Sequence, residues 1–126
     1  MESLDWRNLS FGYLKTDTNV RCYYRDGKWG EPEETDSEYI QLHMAATCLH
    51  YGQEAFEGLK AFRGKDNRIR ILRMRENAKR MHQTALGIKM QPVPEALFTE
   101  VVKRAVLRNA RFVPPYGTGA SLYIRP

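Results

Sequence analysis

The chain has 126 residues, 42% hydrophobic, 28% charged and 11% aromatic, which suits one ordinary globular domain with a real core and excludes a disordered polymer. No apolar run approaches a membrane span, and residues 1–6 lack the basic start and apolar centre of a secretory signal, so no membrane partner and a cytoplasmic location are expected. The net charge of +5 invites a nucleic-acid reading, but the bases crowded between positions 60 and 80 come with no helix-turn-helix, RNP-like or zinc-finger pattern, and no nucleic-acid partner is expected.

Residues 1–18 are irregular and read as an arm, with Trp6, Leu9, Phe11, Tyr13 and Leu14 as candidate anchors; residues 19–126 read as the domain proper. Residues 19–25 are rich in β-formers and run into Asp26-Gly27, a two-residue hairpin signal, with the returning strand starting at Lys28-Trp29. The acidic stretch 31–38 has a proline and no apolar period, and is expected to be a surface loop. Residues 39–44 alternate weakly as a further strand, and 45–49 suggest a short helical turn. Cys22 and Cys48 form no CxxC pair and are expected as free thiols, while Cys48, His43 and His50 match no common zinc spacing, so no metal is expected.

From Phe56 the chain reads as a strand with Phe56, Gly58, Lys60 and Phe62 on one side and Glu57, Leu59, Ala61 and Arg63 on the other. A Gly64-Lys65-Asp66-Asn67 turn leads to an antiparallel partner over 68–73, where charged and aliphatic residues alternate. The period then changes: Met74, Ala78, Met81, Ala85 and Ile88 predict a helix over 75–86 with Gly87 as its stop. Pro94-Glu95 opens a second helix with the core stripe Leu97, Phe98, Val101, Val102 and Ala105. After Pro114-Pro115 and a Gly-rich turn, residues 120–125 alternate as a strand returning to the sheet, Leu122 and Ile124 facing one way, Ser121, Tyr123 and Arg125 the other. The expected class is α+β, a small antiparallel or mixed sheet with two helices packed on one side.

Three segments carry a resemblance. His50-Tyr51-Gly52-Gln53 followed by Phe56-Glu57-Gly58-Leu59-Lys60-Ala61-Phe62, then Asn77-Ala78-Lys79-Arg80-Met81, then Ala120-Ser121-Leu122-Tyr123-Ile124-Arg125-Pro126, resemble in order the motifs of branched-chain amino acid aminotransferases, pyridoxal phosphate enzymes of fold type IV. The resemblance covers residues 10–126 and only the smaller N-terminal domain of that family; the large domain with the Schiff-base lysine has no counterpart here. It implies an intact enzyme, a homodimer, that moves the amino group of leucine, isoleucine or valine to 2-oxoglutarate, giving glutamate, on pyridoxal phosphate. The 126 residues alone are expected to be inactive.

By spacing alone Arg80 is a solvated helix residue within reach of Glu76 and Gln83; the resemblance makes it the ligand of the cofactor phosphate, for which a permanently charged guanidinium fork is suited. Tyr123 and Arg125, two apart on a strand, put a phenol and a guanidinium on one face. The resemblance implies that both serve the substrate pocket with Tyr51 and Phe56, the arginine recognising acidic substrates. Core packing is the other reading of Tyr51 and Phe56 and the favoured one for Phe62, and a surface cross-strand pair is the other reading of Tyr123 and Arg125. Lys60 is not expected to be the catalytic lysine, no catalytic residue is assigned within the chain, and Glu57 has no titratable partner fixed by spacing. Two further functions stay open: another fold type IV enzyme, such as a D-amino acid aminotransferase or an aminodeoxychorismate lyase, and a binding module without the reaction.

Overall fold

The computed structural model describes residues 4–9 and 12–126. Three strands form the main sheet in the order β6 (Ile69–Ile71), β5 (Leu59–Arg63), β7 (Leu122–Ile124), with β5 central and both pairings antiparallel. The register sets Leu59 opposite Ile124, and Ala61 between Leu122 and Ile71, so the aliphatic residues of all three strands share one face. Against that face lie the helices α2 (Met74–Gly87) and α3 (Glu95–Arg108). Leu59, Ala78, Phe98 and Val102 form one buried cluster, and Ala61, Val106 and Val113 a second, bridged by Ile71 and Ile124. This is the α+β arrangement that the change of period along the chain predicts.

Both helices follow their apolar stripes, but their ends differ from the sequence reading. Gly87 remains helical, and α2 is closed two residues later by Lys89 in the left-handed conformation (φ 59°). There Lys89 N–H donates to Leu86 O at 3.2 Å and Met90 N–H to Ala85 O at 2.9 Å, the paired closing bonds of a Schellman motif. Pro94 precedes α3 as an extended residue whose carbonyl accepts from Phe98 N–H at 2.9 Å.

The segment before the sheet departs further. Residues 19–25 are not one strand: β1 (Asn19–Arg21) and β2 (Tyr24–Arg25) are separate and take different partners. The hairpin at Asp26-Gly27 is present, joining β2 to β3 (Lys28–Trp29). The chain then returns beside β1 as β4 (Glu33–Thr35), so the acidic stretch is partly a strand and not wholly a loop. Glu34 is paired from a distance, Arg108 Nε lying 2.7 Å from its Oε2, while Arg21, opposite Glu33 in the register, donates to Ser37 O at 2.7 Å and Tyr39 O at 2.9 Å. Residues 39–44 form no strand. Helix α1 (Thr47–Tyr51) follows, closed by Gly52 at φ 61°.

Of the expected apolar anchors of the arm, Trp6 is half-buried, Leu9, Tyr13 and Leu14 are exposed, and Phe11 lies outside the described residues; polar bonds hold its end. Asn109, buried at the end of α3, accepts from Asp17 N–H at 2.9 Å and Thr18 N–H at 3.1 Å. Its amide donates to Thr18 O at 2.9 Å and Ala105 O at 2.8 Å. Cys22 and Cys48 are free thiols, and among the described residues no helix is long and apolar enough to cross a membrane.

Replacing Asn109 strands two backbone N–H donors and a carbonyl at a buried junction. Asn109→Ala is therefore expected to lower unfolding free energy by about 2–3 kcal/mol, read from urea midpoints, with helix content by circular dichroism unchanged. A loss below about 0.5 kcal/mol would mean that water replaces the side chain and that the arm is not fixed by it.

Candidate functional site

The core-facing phase of β5 extends beyond its hydrogen-bonded ladder. Ala61, Leu59 and Glu57 are all buried while Lys60 and Phe62 are exposed, so strand alternation puts a carboxylate on the face where the fold wants an aliphatic side chain. A carboxylate that is 3% exposed requires donors. Helix α2 supplies them. Arg80 Nε donates to Glu57 Oε2 at 2.7 Å and its Nη2 donates to Oε1, a two-pronged pair. Asn77, one helical turn earlier, donates its amide to Oε1 at 3.2 Å and to Gly58 O at 3.2 Å, while Gly58 N–H donates to Oε1 at 2.9 Å. The Glu57 N–H itself donates to Pro126 O at 3.2 Å, which ties the knot to the chain leaving β7.

The Arg80 guanidinium therefore holds the Glu57 carboxyl down to about 2, helped by the Gly58 N–H and the Asn77 amide and opposed by burial. The same contact pushes the arginine upward. Yet the Arg80 side chain is 69% exposed. Its Nε–Nη2 edge is committed to Glu57, which leaves Nη1 outside that pair, and the side chain lines a shallow cleft along α2 with Arg73, Glu76, Asn77, Lys79 and Gln83. Lys79 is turned to Glu76 at 3.1 Å. The sequence reading put Arg80 near Glu76 and Gln83; its ion-pair partner is instead Glu57, twenty-three residues earlier.

On the other side of Glu57 lies the outer face of the sheet. Lys60 stands opposite Tyr123, and Phe62 opposite Arg70. A Cβ on Gly58 would come within 3.0 Å of the Tyr123 hydroxyl, so the glycine gives the phenol its seat. Tyr123 (39% exposed) and Arg125 both point away from the core, on alternate positions of one edge. Arg125 lies near enough to Tyr13 for its charge to act on that phenol, whose proton is held mainly by a hydrogen bond to Glu38. Phe56 is 75% exposed and Tyr51 83% exposed, Tyr51 at the end of α1. The structure thus brings Arg80 to Glu57 and Tyr123 to Gly58, with Phe56 next in sequence, and among the described residues shows no contact of Tyr51 with them.

Glu57, Asn77 and Gly58 are the residues that spacing missed. The signal for Glu57 was available: an acidic residue in phase with Leu59 and Ala61 is headed for the core and must find a cation there. An apolar cavity of about 380 Å³ lies where β1 and β3 meet α3, lined by Val20, Trp29, Leu97, Val101 and Leu122 and reaching Tyr123 and Arg125. It is a seam between layers, and Trp29 crosses it to donate to Pro92 O at 3.1 Å.

No family model matches the chain. Among curated proteins, the branched-chain-amino-acid aminotransferase of Haemophilus influenzae is 46% identical over all 126 residues of this chain, which cover 37% of that protein. The Helicobacter pylori protein of the same name is 40% identical over the whole chain and 37% of its own length, and the transaminase AMT5 of Alternaria alternata is 41% identical over 98% of the chain and 34% of its own. The chain spans little more than a third of the length of the relatives it matches.

The knot has a pH signature. The folded value of Glu57, about 2, lies below its ordinary 4.5, so the pair adds stability above pH 4.5 and loses it as pH falls towards 2. Glu57→Gln is expected to be less stable than wild type at neutral pH, with the difference shrinking through that window in urea titrations. A difference that stays constant with pH would mean that the carboxylate contributes by shape and not by charge.

Proposed function

We propose, from the correspondence of this chain to the N-terminal part of branched-chain amino acid aminotransferases, that it forms one side of the active site of such an enzyme. The whole protein would transfer the amino group of leucine, isoleucine or valine to 2-oxoglutarate in the cytoplasm, as a homodimer using pyridoxal phosphate. When bound, that cofactor supplies the electron sink for the transfer. The role of this chain is to grip and to shape. Arg80 takes the cofactor phosphate with its Nη1 edge, which fits because a permanently charged, planar donor with an exposed edge suits a tetrahedral anion. Tyr123 and Phe56 wall the substrate side, with Tyr51 presented at the end of α1 towards the neighbouring subunit. Arg125 receives the second carboxylate of glutamate or 2-oxoglutarate.

The observation that carries this reading is that two groups suited to anions, Arg80 with its Nη1 edge outside the Glu57 pair and the Tyr123–Arg125 edge, lie against the same two residues, Glu57 and Gly58. One side suits a phosphate and the other a carboxylate, as a phosphorylated cofactor and an amino acid require.

Lys60 is an exposed side chain opposite Tyr123 and is not the imine-forming lysine. The 126-residue chain incubated with pyridoxal phosphate and reduced with borohydride is expected to show scattered labelling and no transamination of leucine. Stoichiometric labelling of Lys60 together with activity would reverse that assignment.

Arg125 has no evident use against an aliphatic side chain and an obvious one against a second carboxylate. Arg125→Leu in the intact enzyme is expected to reduce kcat/KM for glutamate far more than for leucine, the ratio measuring the lost contact. Equal losses would assign the arginine to the carboxylate that all substrates share.

A further inference from the structure

We infer that Glu57 is the positioning residue of the phosphate grip, its buried carboxylate fixing the Arg80 guanidinium by the Nε–Nη2 edge and leaving Nη1 outside that pair. The inference rests on the proposed role of Arg80 and goes beyond it by assigning the residue that presents the arginine. Glu57 cannot swing: it is buried, Gly58 N–H and the Asn77 amide hold Oε1, and its own N–H is bonded to Pro126 O. Arg80 can. It sits on an exposed helix flank and, without a fixed acceptor, would sample many rotamers of a long side chain, each of which phosphate binding would have to freeze out. The two-pronged bond removes that freedom before any ligand arrives.

Carboxylates beside an anion site also repel the anion, Glu57 and likewise Glu76, which lines the same cleft paired with Lys79 at 3.1 Å, so the two effects oppose each other. The negative charge of Glu57, however, is met by donors from Arg80, Asn77 and Gly58 and is screened from the cleft by the guanidinium itself. Orientation therefore outweighs repulsion here. The same carboxylate oxygen fixes Gly58 N–H beneath the Tyr123 hydroxyl, so Glu57 aligns the phosphate side and the substrate side together.

The test measures Kd for pyridoxal phosphate and for unphosphorylated pyridoxal on the cofactor-stripped intact enzyme at neutral pH, for wild type, Glu57→Gln, Arg80→Ala and the double variant. Arg80→Ala is expected to weaken pyridoxal phosphate by about one to two decades and Glu57→Gln by about one, with pyridoxal unchanged in both. In the Arg80→Ala background, Glu57→Gln should add nothing, because its effect acts through the arginine. Unchanged or tighter binding in Glu57→Gln beside a weakened Arg80→Ala overturns the positioning role and leaves the arginine's. No loss in Arg80→Ala overturns both. Additive losses, or equal losses for pyridoxal, make Glu57 a structural residue only. If Glu57→Gln does not fold, Glu57→Asp is judged by the same criteria, since it keeps the charge but withdraws it by one methylene.

Discussion

A carboxylate in the core phase of a central strand is the constraint around which the candidate site is arranged. Burying Glu57 without partners would cost more than one aliphatic contact gives back, so the sequence must bring a cation and further donors to that point. Helix α2 meets this need with two residues one turn apart, Asn77 and Arg80, and the strand meets it with the N–H of Gly58. The helix is thereby fixed to the strand in rotation and in height. Its apolar stripe, with Ala78 buried against Leu59, then falls into place on the sheet.

Small residues make the layers close. Ala61 on β5 is fully buried, and Ala78 and Ala85 are the buried positions of α2, so the helix rests low on the sheet with Ile71 and Ile124 filling the space between the two clusters. The N-terminal ladders are attached by other means. Asn109 supplies four hydrogen bonds' worth of donors and acceptors to the arm and to α3, and the acidic stretch is steadied by Arg108 on Glu34 and Lys15 on Glu38. Gln53 reaches from beyond α1 to Ile88 O at 2.9 Å, which joins the aromatic segment to the end of α2.

The outer face of the main sheet contrasts with the inner one. Lys60, Phe62 and Tyr123 stand on it, with Phe56 close in sequence, and they bring aromatic rings to solvent instead of to the core. Exposed rings beside charged groups suit a surface that meets a ligand or another part of an assembly. Under the proposed function this is the wall of a pocket, and the inner face is the one covered by α2 and α3.

Periodicity in the sequence determined the α+β class, the two helices, the β5–β6 hairpin and the return of β7, because each is a local repeat of 2 or 3.6 residues with a turn signal at its end. The same periodicity set Tyr123 with Arg125 and Lys60 with Phe62 on outward faces. The motifs alone pointed to Arg80, Tyr123 and Arg125 as residues to inspect. What only the tertiary structure decided was partnership. That residues 33–35 pair with β1, that Lys89 rather than Gly87 carries the left-handed turn, and that Arg80 belongs to Glu57 and not to Glu76 all depend on groups brought together across many residues. Helical spacing offers Arg80 a neighbour at three or four positions, whereas a buried carboxylate on a strand outcompetes it because the energy of an ion pair rises as water is removed.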